Sequence, residues 1–117
     1  MNAVKALITL DLDTVAPRFD LTADVWIGRI EPDGTVREAK TLVLSSASAD
    51  ELCKLVLTEK IDVVVCGAVE DKYFEYLQWK DVAVVDSVVG HMDAVIRALA
   101  QGALEQGAVL PSPPEAE

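Results

Sequence analysis

Between residues 49 and 104, short apolar runs alternate with stretches at helical spacing. That alternation constrains the fold more than any other feature of the chain. Residues 61–66, Ile-Asp-Val-Val-Val-Cys, and 82–85, Val-Ala-Val-Val, are too short for helices and dense in β-branched side chains, as strands buried on both faces are. Ser48 stands three residues before Glu51, a capping-box arrangement, and Leu52, Leu55 and Val56 then recur with a helical period. Gly67 ends the first run, and 71–79 reads as a short helix burying Phe74 and Leu77. From His91 onward, Met92, Val95, Ile96, Leu99 and Ala103 form the clearest helical stripe, with Gly102 and Gly107 as stops. Strands joined through helices pair in parallel through right-handed crossovers.

The first 44 residues follow a different rule. Residues 3–10, Ala-Val-Lys-Ala-Leu-Ile-Thr-Leu, form a further buried-strand run. The polar stretch from Asp11 to Asp24, broken by Pro17, reads as a long loop. Residues 25–31 alternate apolar and polar, Pro32-Asp33-Gly34 carries turn chemistry, and 36–44 returns as a hairpin partner. The expected order is β-β-β-α-β-α-β-α, an α/β chain with a mixed five-stranded sheet and helices on its faces. Residues 1–107 are expected to form one domain. Residues 108–117, rich in proline and acid, are expected to form a loose tail.

With 117 residues the chain has room for one domain, and a mean hydropathy of +0.28 excludes intrinsic disorder. The formal charge of −10 repels phosphate and anionic lipid, which argues against nucleic-acid and membrane partners. No apolar run approaches the ~20 residues that cross a bilayer, so the expected location is cytoplasmic. Cys53 and Cys66 are expected to remain thiols there.

In open α/β sheets, ligands gather beyond the carboxyl ends of the parallel strands, where the strand order reverses. That edge should collect Asp11 and Asp13, Cys66 and Gly67, and Asp86, Ser87, Gly90 and His91. Asp11 and Asp13 either hold a hard cation or solvate a loop. Cys66 is either a soft-metal ligand or a small buried hydrophobe. His91, the one histidine, is either a metal ligand or an ordinary residue at a helix start. One cysteine and one histidine do not close a four-ligand zinc site. The chain has no nucleophile elbow, P-loop or dinucleotide fingerprint. Trp26, Trp79, Tyr73 and Tyr76 are either core residues or partner contacts, and an apolar patch at Tyr76 and Trp79 would favour a homodimer.

Four strings carry a resemblance to a known family: Ala-Pro-Arg-Phe-Asp-Leu-Thr-Ala-Asp-Val-Trp-Ile-Gly at 16–28, Glu-Pro-Asp-Gly at 31–34, Ile-Asp-Val-Val-Val-Cys-Gly-Ala-Val at 61–69, and the stretch 88–104 from Val88 to Leu104. In order and spacing the chain resembles the dinitrogenase iron–molybdenum cofactor biosynthesis family, the NifX-like domain also found at the end of NifB. The resemblance implies a ribonuclease-H-like three-layer fold. It implies a non-catalytic accessory protein that binds or carries an iron–sulfur or molybdenum–iron–sulfur precursor, working with metallocofactor assembly proteins. Its cofactor-binding positions are Arg18, Phe19, Cys66, Gly67, Gly90 and His91, with Cys66 and His91 as metal ligands. Asp20 stands where the family commonly has glycine, and its charge opposes an anionic cluster. The alternative is an interaction module that keeps the fold without cluster binding. A more distant one is a Mg²⁺-dependent nuclease using Asp11 and Asp13.

Overall fold

A computed structural model describes residues 3–110 of the chain. In chain order the elements are β1 (Val4–Asp11), β2 (Thr14–Val15), a single 3-10 turn at Phe19–Leu21, β3 (Asp24–Ile30), β4 (Val36–Val43), α1 (Ala49–Thr58), β5 (Val63–Val65), α2 (Asp71–Trp79), β6 (Ala83–Val85) and α3 (Met92–Ala100). The sheet order is β4-β3-β1-β5-β6, with β2 paired to β1 off that path. β1, β3 and β4 pair antiparallel, whereas β1, β5 and β6 pair parallel.

The expected mixed sheet and three helices are present, but the sheet has six strands rather than five. The added strand, β2, lies in the stretch expected to be loop. Leu10 faces Val15 and Asp11 faces Thr14 across a two-residue turn. Two residues make too short a run to show a period, so only the pairing reveals the strand. Residues 108–110, expected to belong to the tail, are hydrogen-bonded into the fold. Val109 bridges to Val89, and the amides of Val89 and Leu110 donate to the carbonyls of Ala108 and Val89 at 2.9 and 2.8 Å. The rest of that tail, 111–117, lies outside the described residues.

Helix starts follow the local chemistry. Ser48 Oγ accepts the Glu51 amide at 3.3 Å, which seats the first turn of α1. α2 begins without a side-chain cap and buries only Leu77, leaving Phe74 half-buried. α3 ends at Ala100, and Gly102 follows at φ +67°, the left-handed exit glycine supplies without strain.

Alternation along the strands divides the core in two. Leu7, Val25, Ile27 and Val64 point to one face, where they pack on Leu52, Cys53 and Val56 of α1 and Leu77 of α2. Ala6, Ile8, Trp26, Ile30 and Val65 point to the other and meet Val95 of α3. Each fully buried aliphatic side chain contributes about 1.5–3 kcal/mol. The result is helix, sheet and helix in three layers. Trp26 is buried by lying along its own strand over Gly28, where a Cβ would stand 2.5 Å from the indole ring. The ladder to β4 slips at that point, between Ile27 and Arg29.

Candidate functional site

From β1 the chain order runs outward to β5 and β6 on one side and to β3 and β4 on the other, so the reversal lies between β1 and β5. Ligand crevices form at such a reversal, beyond the strand ends. Here β2 occupies that place. Leu10 pairs with Asp24 of β3 on one side, so its second partner, Val15, lies on the side of β5. β2 therefore continues the line of β5 beyond Val65.

The neighbouring segments are tied to it by main-chain hydrogen bonds. The Val15 amide donates to the Gly90 carbonyl at 2.9 Å, and the Met92 amide donates to the Asp13 carbonyl at 2.8 Å. The Phe19 amide donates to Ala68 and the Ala68 amide to Pro17, both at 2.8 Å. The Ser87 and Val88 amides donate to Gly67 and Cys66 at 2.9 and 3.1 Å. The three segments expected to converge do so, but through backbone rather than side chains.

The two glycines make this possible. A Cβ on Gly67 would overlap the carbonyl oxygens of Ala16 and Pro17, which cross directly over it. A Cβ on Gly90 would lie 2.8 Å from the Leu110 Cβ. Both residues serve close approach of backbone, and what approaches is this chain itself.

The side chains with ligand chemistry are also engaged. Cys66 is fully buried beside Phe19 and Val64 in the α1–α2 face of the core. Burial, with a further contribution from the Asp86 charge, pushes its thiol up to about 12. The thiolate is the form that binds metal. His91 caps α3, its Nδ1 accepting the Asp93 amide at 3.1 Å. In a neutral ring that bond places the proton on Nε2. A metal at Nε2 would move the proton to Nδ1 and release the cap.

Arg18 holds Asp20 in a two-pronged pair, Nε to Oδ1 at 3.0 Å and Nη2 to Oδ2 at 2.6 Å. The hydrogen bonds from Arg18 keep the Asp20 carboxyl below its ordinary range. The charge that would oppose an anionic cluster is thus locally neutralised, and so is the cation that would attract one. Phe19 is buried, its ring centroid 6.1 Å from that of Tyr73. Asp11 and Asp13 are exposed and contribute carbonyls to the braid, Asp11 accepting Thr14 Oγ1 at 3.0 Å. Among the described residues, no group of three or more His, Cys, Asp or Glu side chains is placed to hold a metal ion.

Thr22 and Leu12 at this end had no signal in the sequence, and Asp86 was expected at this edge but without its buried, unpaired oxygen. Asp86 Oδ1 is buried without a hydrogen-bond partner, while its Oδ2 accepts Ser87 Oγ at 3.2 Å. Thr22, buried, donates its hydroxyl to the Arg18 carbonyl at 2.7 Å and fixes the 18–22 turn. Leu12, at the tip between β1 and β2, is 85% exposed with φ +58°. Beside the braid, a shallow cleft of about 340 Å³ is lined by Asp11, Arg18, Leu21 and Asp24, among others. Its carboxylates outnumber its one cation.

No family model and no curated protein matches the chain. Solved structures do. The protein PH0822 superposes with a TM-score of 0.78 at 19% identity, over 87% of this chain and 93% of that one. A "putative dinitrogenase" from Methanocaldococcus jannaschii gives 0.73 at 21% identity, over 90% of this chain and 95% of that one. A "putative NifB protein" from Thermotoga, described as a DUF35 family member, gives 0.66 at 19% identity, over 88% and 92%. At these identities the likeness is one of fold: the chain has the α/β fold of these dinitrogenase- and NifB-described proteins.

Proposed function

We propose that the chain is a non-catalytic accessory protein of metallocofactor assembly that acts as a protein-interaction module. The assembly role is supported by a fold shared over about nine tenths of its length with proteins described as dinitrogenase and NifB, and by the ordered strings at 16–28, 31–34, 61–69 and 88–104. The mode of action rests on one observation: β2 fills the crevice between β1 and β5, with Cys66 and His91 committed within the fold and Arg18 paired with Asp20 at the surface. Three layers, with an antiparallel meander leading into strand–helix–strand units, support a ribonuclease-H-like reading. A nuclease is not favoured, because the −10 charge opposes nucleic acid. The proposed location is cytoplasmic; among the described residues no helix is long and apolar enough to cross a membrane.

The test is anaerobic reconstitution with ferrous iron, sulfide and molybdate, followed by elemental analysis and a visible spectrum. The expected result is a colourless protein whose C66A and H91A variants do not differ from wild type. Both variants should retain a metallocofactor assembly protein in a pull-down as well as wild type does. Stoichiometric iron with sulfide-to-metal absorption, lost in C66A, would overturn the interaction reading in favour of a cluster carrier.

A further inference from the structure

We infer that the acidic tip formed by Asp11, Leu12 and Asp13 docks into the cleft between α1 and α2 of a second copy of this chain. The tip holds an apolar residue where the backbone disfavours one. In a two-residue hairpin turn a positive φ selects glycine, asparagine or aspartate. Leu12 stands at φ +58° with its side chain 85% exposed and a carboxylate on each side. The carbonyls of Asp11 and Asp13 on either side are held by Thr14 Oγ1 and the Met92 amide, while the isobutyl group stays in solvent.

The cleft is the complement of that tip. It measures about 500 Å³ and is lined by Asp50, Cys53 and Lys54 of α1 and by Lys72, Tyr73 and Tyr76 of α2. Its floor is a thiol and two aromatic rings, and lysines stand on both sides. Lys72 Nζ lies 4.9 Å from the Tyr73 ring centroid and pairs with no carboxylate among the described residues. Lys54 meets Glu51 only at 4.0 Å. Of the charged residues lining the cleft, two are lysines and one, Asp50, is an acid, while Glu51 and Asp71 stand in the same first turns of the two helices. Two carboxylates flanking a leucine match two lysines flanking an apolar floor.

The fold also places both surfaces at one end. Leu10 of β1 faces Asp24 of β3, which faces Val43 of β4, so α1 starts level with the tip. α2 starts after β5, which runs parallel to β1. A two-fold axis can therefore seat both tips in both clefts, the self-complementary arrangement common in dimers.

Sedimentation equilibrium of the full chain over a concentration series tests this. Wild type is expected to dimerise, more weakly as salt rises. Leu12→Gly suits the positive φ, so it should keep the melting temperature while weakening association roughly tenfold or more. The doubly reversed chains D11K/D13K and K54E/K72E, altered only at exposed side chains, should each be monomeric. Mixed, they should pair, because each tip then faces a cleft of opposite sign. A wild type that stays monomeric, or a dimer indifferent to Leu12→Gly and to both reversals, would overturn the inference. Metal content does not enter this test, so its outcome is separate from that of the assembly role.

Discussion

The carboxyl end of the parallel strands and the α1–α2 cleft each hold one cysteine, and they show how differently two surfaces can use similar chemistry. At the strand ends, the cysteine, the histidine and the glycines are spent on the fold, while the carboxylates of Asp11 and Asp13 stay exposed and Asp86 Oδ1 is buried without a hydrogen-bond partner. Cys66 packs in the core, His91 caps α3, Arg18 clamps Asp20, and Gly67 passes under two carbonyls. In the cleft the reverse holds. Cys53 lies at the base, its thiol pushed up to about 11 chiefly by burial, while Lys72 and Tyr76 are exposed. Residue types that attract attention in a sequence can be structural, and lysines that draw none can be the exposed ones.

Substitutions should separate the two regions. The largest effect is expected for Phe19→Ala, which empties a fully buried ring site beside Cys66 and Tyr73. A loss of about 3–5 kcal/mol in denaturant unfolding is expected. Gly67→Ala should cost about 3 kcal/mol, because the atoms a Cβ meets are backbone and cannot turn aside. A neutral result there would break the contrast, since it would mean that the braid yields easily.

The thiol of Cys66 gives a pH signature. Its folded value, about 12, lies above the ordinary 9.0. Between those values the unfolded chain releases a proton that the folded chain keeps. Stability from this group is complete below pH 9 and falls by about 1.4 kcal/mol per pH unit above it. Comparing wild type with C66A across that window should show a shallower decline in the variant.

His91→Ala should cost about 1 kcal/mol through loss of the α3 cap, read as a lower melting temperature. Lys72→Ala in the cleft should stay within about 0.5 kcal/mol, as exposed positions usually do. If Lys72→Ala cost as much as His91→Ala, the cleft would be as structural as the strand ends.

Much of the fold was legible because its signals are local. The runs at 3–10, 61–66 and 82–85 became β1, β5 and β6 within two residues of their expected bounds, although β6 is an edge strand and not buried on both faces as expected, and Ser48 and Gly102 mark the helix limits they suggested. The convergence of 11–13, 66–67 and 86–91 was legible from topology alone. What the residues do there was not. Whether Cys66 faces solvent or core depends on which way the chain turns after Val65, and whether His91 Nδ1 is free depends on where α3 starts. β2 was missed because Thr14 and Val15 become a strand only when β1 and Gly90 lie on either side of them. Leu12 carries no local mark of its conformation.

The braid over β5 also has an order in time. Its bonds join Val15 to Gly90 and Asp13 to Met92, so the early segment cannot be locked until Gly90 and Met92 have left the ribosome. The meander and β5 can pair before then. A chain built this way completes its top last, and native-state hydrogen exchange should find the amides of Val15 and Met92 opening before those of Leu7 and Val64.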